Sequence, residues 1–211
     1  DKENTFLRFL SGAVFELYED ANGNKELDAD DERLGTLTET GIGVYEMPDL
    51  LYSGYFVKET KAPEGFYLDD NAYYFEIAED GQTVTVENEA GKGFVNAPQV
   101  GSLKIIKTSS DGKVEGFSFR VTGPNGYVGV FTTDKNGEII IDDLRIGEYV
   151  VSEVSDGASS AYVLPADKTA SVFEGAVTKV EMHNELRDTP KTGDDSTPAL
   201  WLTLFGVSAA G

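Results

Sequence analysis

The chain contains no cysteine, one histidine, one tryptophan and two methionines among its 211 residues. Without Cys there is no disulfide framework and no thiol nucleophile. The lone His183 leaves no multi-His zinc site. A Ser-His-Asp triad would depend on that single imidazole, and no GxSxG elbow is present to support one. Basic side chains are scarce as well, with Lys+Arg at 17 against Asp+Glu at 38 and a net charge of -21. Nucleic acid is therefore excluded as a partner, because its phosphates need Lys and Arg. Adsorption to anionic lipid is disfavoured for the same reason. Long apolar runs are missing too, except for Ala199 to Val207 near the end of the chain.

What is present is material for folded cores: 40% hydrophobic and 11% aromatic residues. The apolar residues come in short segments rich in β-branched and aromatic types, separated by Gly, Asn, Asp or Pro. In the first half these are Ala13 to Tyr18, Tyr55 to Glu59, Ala72 to Ile77 and Thr83 to Glu87. The pattern restarts at Gly101 with Leu103 to Lys107, Phe117 to Thr122, Tyr127 to Thr132, Glu138 to Ile141, Tyr149 to Glu153, Lys168 to Phe173 and Val177 to Asn184. Outside the C-terminal run no long 3.6-residue period occurs. The reading is all-β, with short strands forming sandwiches.

One pattern is used twice. In each half an early strand enters a Gly-led strand (SGAVFEL from Ser11, EGFSFRV from Glu115), and a later strand has a Tyr followed four residues on by a Glu (Tyr55 and Glu59, Tyr149 and Glu153). Each half closes on an Asn-bearing strand, FVNAP from Phe94 and VEMHNEL from Val180. Two tandem domains are expected, 1–98 and 99–187, followed by a tail at 188–211; end-to-end repeats of this kind suit a rod.

The segment YFVKETKAPEGF, Tyr55 to Phe66, is a Tyr-led strand whose Glu is followed by Ala-Pro-x-Gly-aromatic. It resembles the signature of SpaA-like or Cna B-type domains, immunoglobulin-like and prealbumin-like β-sandwiches of Gram-positive pilins and adhesins. The second half has SEVSDGASSAYVLP in place of the Ala-Pro-x-Gly part. The resemblance implies an internal isopeptide bond, formed without cofactor between an early Lys and a late Asn beside a buried acid. A Lys amine attacks only when neutral, which burial favours, and a Glu whose pKa is raised by burial can shuttle the proton.

Strand alternation places candidates where that chemistry needs them. Lys107 shares a face with Leu103 and Ile105, Glu153 with Tyr149 and Val151, and Asn184 with Val180 and Met182. Buried alone each would be costly; together they satisfy one another. The expectation is a Lys107–Asn184 bond promoted by Glu153, against the alternative of three strand-end residues in solvent. In the first domain Glu59 and Asn96 take the acid and amide places, with Asn88 a weaker amide. The resemblance places the amine just upstream of Asp1, so the first site is expected to lack it, Lys2 being the nearby substitute.

The C-terminal stretch, Arg187 to Gly211, has Thr189, Pro190, Lys191, Thr192 and Gly193, then two acids, then the apolar run. It resembles an LPxTG-type cell-wall sorting signal with Thr189 in the place of Leu, which implies sortase cleavage between Thr192 and Gly193 and linkage to peptidoglycan. The run is shorter than the about 20 apolar residues of a membrane span, so the chain is expected to end inside its anchor. Trp201 suits a membrane interface.

The insertion at 20–32 offers oxygen ligands at Asp20, Asn22, Asn24, Asp28 and Asp31, with the Glu26 carbonyl, at the spacing of an EF-hand-like calcium loop. Gly23 falls at the fourth place where the turn wants Gly at the sixth, and the alternative is a solvated acidic turn. His183 is expected to face solvent beside Asn184. Asp142 and Asp143 are adjacent on a strand and are expected to point to opposite faces, poor geometry for a carboxylate pair. The function expected is a wall-anchored adhesin stalk with no enzymatic activity, no required cofactor and calcium as the one candidate ion. Sortase, peptidoglycan and other pilin subunits or a host matrix ligand are its expected partners. A pilus subunit, or the spacer of a glycan-degrading enzyme, is the alternative.

Overall fold

A computed structural model describes residues 9–87 and 93–188. Lys2, Asn88, the Thr189 to Gly193 motif and the apolar run with Trp201 lie outside the described residues. Among the described residues no helix is long and apolar enough to cross a membrane.

The second domain is two four-stranded sheets face to face. β7 (Val100–Ser109) lies between β10 (Glu138–Arg145) and β14 (Val177–Leu186), with the short β12 (Tyr162–Val163) beyond β14. The opposing sheet runs β13 (Lys168–Val172), β11 (Gly147–Glu153), β8 (Ser118–Gly123), β9 (Tyr127–Thr132). Burial along β7 alternates residue by residue, so Leu103, Ile105 and Lys107 face the core while Lys104 and Ile106 face outward. Leu103, Ile105, Phe117, Phe119, Val121, Tyr149, Val151 and Met182 form that core. β7 and β14, the domain's first and last strands, pair in parallel from Val177 against Ser102 to Asn184 against Ser109. Gly101 lets the loop between β13 and β14 pass close against β7, since a Cβ there would collide with the Phe173 carbonyl.

The first domain repeats one of these sheets, in the order β2 (Glu32–Thr36), β1 (Val14–Glu19), β5 (Ser53–Lys61), β6 (Ala72–Ile77). Its other side is the hairpin of β3 (Thr38–Gly41) and β4 (Val44–Glu46). Two expected strands are not strands here. Thr83 to Glu87 has the alternation of one, with Val84 and Val86 half-buried between exposed neighbours, but it joins no ladder. Phe94 to Pro98 makes only an isolated bridge from Pro98 to Phe66. The physical reason is the same for both: among the described residues no strand lies beside them to supply hydrogen-bond partners, as β7 does for β14.

The join between the halves is hydrogen-bonded. Tyr67 N–H donates to the Ala97 carbonyl, Gln99 N–H to the Gly65 carbonyl and Ile146 N–H to the Gln99 carbonyl, at 2.8, 2.8 and 3.2 Å.

Candidate functional site

In the second domain three strands aim one polar side chain each into an apolar core. Lys107 from β7, Glu153 from β11 and Asn184 from β14 are 1%, 8% and 0% exposed. Each occupies the inward position of its strand's alternation, the reason three polar residues meet among Leu, Ile, Val and Met. Asn184 Nδ2 donates to Glu153 Oε1 over 2.7 Å. Lys107 Nζ lies 4.2 Å from the centre of the Phe117 ring and 5.9 Å from that of Tyr162, and donates to the Thr108 carbonyl.

The electrostatics of the cluster follow from burial. Desolvation pushes the Lys107 amine below its ordinary pKa, against the pull of Glu153 and Asp111. It raises Glu153 above the usual carboxylate range, with Asn184 and Lys107 opposing. Both shifts favour the neutral forms, an amine with a free lone pair and a carboxyl with a proton to give. Glu153 Oε2 and Asn184 Oδ1 are buried without a hydrogen-bond partner among the described residues. An acid hydrogen passed from the first to the second would satisfy both and polarise the amide carbonyl, which is what attack by an amine requires.

The first domain contains the same acid and amide. Glu59 on β5 is fully buried opposite Phe15 of β1, and its Oε2 accepts hydrogen bonds from Asn96 Nδ2 at 2.7 Å and Asp69 N–H at 2.8 Å. Asn96 Nδ2 also reaches the Tyr67 carbonyl at 3.0 Å. Among the described residues Glu59 Oε1, which is buried, has no partner. No lysine pairs with Glu59 among the described residues: Lys25 bonds Glu76 at 2.7 Å, and Lys58 lies on the other face of β5. The acid of each domain is reached by the same device. Tyr55 donates its hydroxyl hydrogen to the Leu51 carbonyl and Tyr149 to the Arg145 carbonyl, at 2.7 and 2.9 Å, pinning the start of the strand whose inward Glu stands four residues on.

The acidic insertion is a set of local turns. Asp20 is buried at 7% exposure and accepts the backbone N–H of Asn24 and of Lys25, both at 3.1 Å. Asn22 and Asn24 accept backbone N–H groups and turn their Nδ2 toward Asp28, while Asp31 accepts the N–H of Ala21 and of Asp28. Glu26 donates its N–H to Asn24. Among the described residues no group of three or more His, Cys, Asp or Glu gathers as a metal site.

His183 is exposed, against Thr108 and Glu185. Asp142 and Asp143 do not alternate as expected; both are exposed, because the β10–β7 register shifts between Ile141 and Leu144. Sequence reasoning missed Phe117 and Tyr162 as walls around the Lys107 amine, and Asp111, which accepts the Tyr162 hydroxyl hydrogen at 2.8 Å. Phe117 was legible in principle, since it follows the strand-leading Gly116 as Ala13 follows Gly12. Tyr162 enters from a two-residue strand with no periodicity to mark it.

A family model described as SpaA, prealbumin-like fold domain, matches residues 2–91 and again 101–186. Among solved structures the chain is similar to the Bacillus anthracis TIE protein, with 24% identity and a TM-score of 0.60 over 85% of this chain and 31% of that one. It is also similar to a C-terminal fragment of the pilus adhesin SpaC from Lactobacillus rhamnosus GG, with 15% identity and a TM-score of 0.54 over 88% of this chain and 94% of the fragment. Against the longer SpaC structure the identity is 14% and the TM-score 0.55, over 85% of this chain and 29% of SpaC. The chain thus spans about a third of TIE and of SpaC. No curated protein matches it.

Proposed function

The chain belongs to the SpaA family of prealbumin-like domains, and from that premise we propose that it is a load-bearing stalk segment of a bacterial surface protein, of adhesin or pilus type, stiffened by an internal Lys–Asn isopeptide bond. The observation that supports this best is the buried Lys107–Glu153–Asn184 cluster between the two strands through which the second domain is pulled. β7 and β14 run parallel, so a chain held at Val100 and beyond Leu186 loads their ladder in shear. A Lys107–Asn184 amide would carry force directly from β7 to β14, bypassing every residue between them.

In the proposed step the neutral Lys107 amine attacks the Asn184 amide carbon while Glu153 protonates the carbonyl oxygen and then delivers the proton to the departing nitrogen. A new N–C bond forms, the old one breaks, and ammonia leaves. Anchoring at the far end is assigned to Thr189 to Gly193, with sortase cutting after Thr192 and the peptidoglycan amine as acceptor. These assignments extend the surface location of pilin-type proteins to this chain.

The test is the intact mass of the purified chain against its Lys107→Ala variant. The expected parent is lighter than its sequence mass by one ammonia, and the variant is not. A parent at full sequence mass would remove the covalent mechanism.

A further inference from the structure

Three asparagines in the chain are followed by glycine: Asn22, Asn125 and Asn136. In such a pair the glycine backbone nitrogen can attack the asparagine side-chain amide, because glycine has no side chain to block the approach. The fold treats the three unequally. Asn22 accepts the Asn24 N–H on Oδ1 at 2.9 Å and turns Nδ2 to Asp28 at 3.3 Å. Asn136 turns Nδ2 to Asp134 at 3.3 Å, and the Gly137 after it is buried, so close to Val114 and the Lys107 carbonyl that a Cβ there would stand 2.7 and 2.8 Å from them. Asn125 is held by neither device. It is exposed, its side chain has no hydrogen-bond partner among the described residues, and a Cβ on Gly126 would meet nothing within 4 Å. Its backbone lies at φ 56° and ψ 28°, the left-handed region, in the turn Pro124–Gly126 between β8 and β9.

That turn rests against the join between the halves. Gly147 approaches it so closely that a Cβ there would stand 2.7 Å from the Pro124 ring. The preceding Ile146 donates its N–H to the Gln99 carbonyl and lies against Gly65 of the first domain. We propose that Asn125 is a site of spontaneous self-modification, converting to aspartate and isoaspartate through a succinimide with Gly126, while Asn22 and Asn136 are spared in the folded chain. The Gly126 nitrogen bonds to Asn125 Cγ, the Cγ–Nδ2 bond breaks, and Nδ2 leaves as ammonia with the proton that the Gly126 nitrogen gives up. Water then opens the ring at one carbonyl or the other; nothing is oxidised or reduced. The product adds a carboxylate, and in the isoaspartate form one more backbone atom, to the turn beside the join. The join of an old molecule therefore differs in charge and in local chain length from that of a new one.

The experiment incubates the full 211-residue chain in warm, mildly alkaline buffer made with heavy-oxygen water, folded and in parallel in urea. Tandem mass spectrometry follows each Asn-Gly peptide with time. In the folded chain heavy oxygen is expected to enter at Asn125 several-fold faster than at Asn22 or Asn136, and in urea the three rates are expected to converge. Asp28→Ala, which frees the Asn22 amide, should raise the Asn22 rate and leave that of Asn125 unchanged. Conversion of Asn125 no faster than that of the other two in the folded chain overturns the proposal, as does the same ranking kept in urea, which would assign the selection to sequence alone. An Asn22 rate unmoved by Asp28→Ala overturns it as well. A succinimide and an isopeptide bond each cost one ammonia, but water opens the ring and not the crosslink, and the two lie in different peptides. Failure at Asn125 and failure of the Lys107–Asn184 reading are thus separate results.

Discussion

Asn184 donates its side-chain amide hydrogen to Glu153 Oε1 over 2.7 Å, with both residues buried and each left with one oxygen unpartnered among the described residues. That geometry is unfavourable for a carboxylate at rest and suited to a protonated acid facing an amide about to be attacked. Glu153→Gln keeps the size and removes the acid, so the variant is expected to retain its ammonia. The chain-entropy model for a crosslink closing the loop from Lys107 to Asn184 then gives about 4–5 kcal/mol of lost stability. Urea unfolding of variant and parent, with intact mass on the same samples, measures both. A variant that still loses ammonia would show that Glu153 is not the proton carrier.

Phe117 is expected to act on the amine through solvent exclusion. Its ring lies 4.2 Å from Lys107 Nζ, and its own exposure is 1%. Phe117→Ala should cost about 3–5 kcal/mol by cavity formation and admit water beside the amine, restoring its charge. Linkage in freshly refolded protein, followed by mass against time, should slow markedly. Phe117→Leu, which keeps most of the volume, should link at a rate close to that of the parent.

The second domain was largely legible because strand alternation speaks directly to burial. The inward positions of β7, β11 and β14 can be read from Leu103, Val151 and Met182, and the polar exceptions among them, Lys107, Glu153 and Asn184, are the ones found buried. The first domain was read too generously. Val84 and Val86 alternate as a strand would, but pairing is a property of the neighbour, and the sequence of one segment does not reveal whether that neighbour is there. β2, β3, β4 and β12 were missed because Gly35, the exposed Thr38–Gly41, the three-residue Val44–Glu46 and the two-residue Tyr162–Val163 have almost no apolar period. Asp142 and Asp143 show the same limit, since a register shift cancels alternation locally.

Asp111 predicts an acid dependence. The Tyr162 hydroxyl first, then Ser109 and Lys113, hold its carboxyl well below the usual carboxylate range. A folded-state pKa depressed below the unfolded value of about 3.9 contributes stability that is present above that value and lost as pH falls through the folded one. The urea midpoint of the second domain should therefore decline below about pH 4, and Asp111→Asn should make that decline shallower. An unchanged slope in the variant would assign the acid sensitivity to other carboxylates.

The acidic loop separates two readings by calorimetry. In the calcium reading Asn22 and Asn24 must turn oxygen rather than Nδ2 toward the ion beside Asp28, releasing the amide contacts they now make. The expected result is saturable heat on calcium addition, a higher melting temperature for the first domain reversed by chelator, and loss of both in Asp31→Asn. Absence of heat would establish the loop as a hairpin of side-chain-capped turns.

The Ala-Pro-Glu-Gly-Phe segment has a consequence for the join. Phe66 lies under the Arg145 guanidinium, 4.9 Å from the ring centre, and the Tyr67 hydroxyl donates to Glu174 Oε1 over 2.6 Å. Because Asn96 also bonds the Tyr67 carbonyl, the loop that meets the second domain is the loop that holds the first domain's amide. Arg145→Ala with Glu174→Ala should leave the unfolding of each domain nearly unchanged, since Arg145 and Glu174 are exposed and an exposed cation–π contact contributes only about 0.5–1 kcal/mol. Their effect should appear between the domains, as diverging rotational correlation times of the two halves in NMR relaxation. Equal correlation times in parent and variant would mean that the backbone bonds of Gly65, Ala97 and Gln99 hold the join without them.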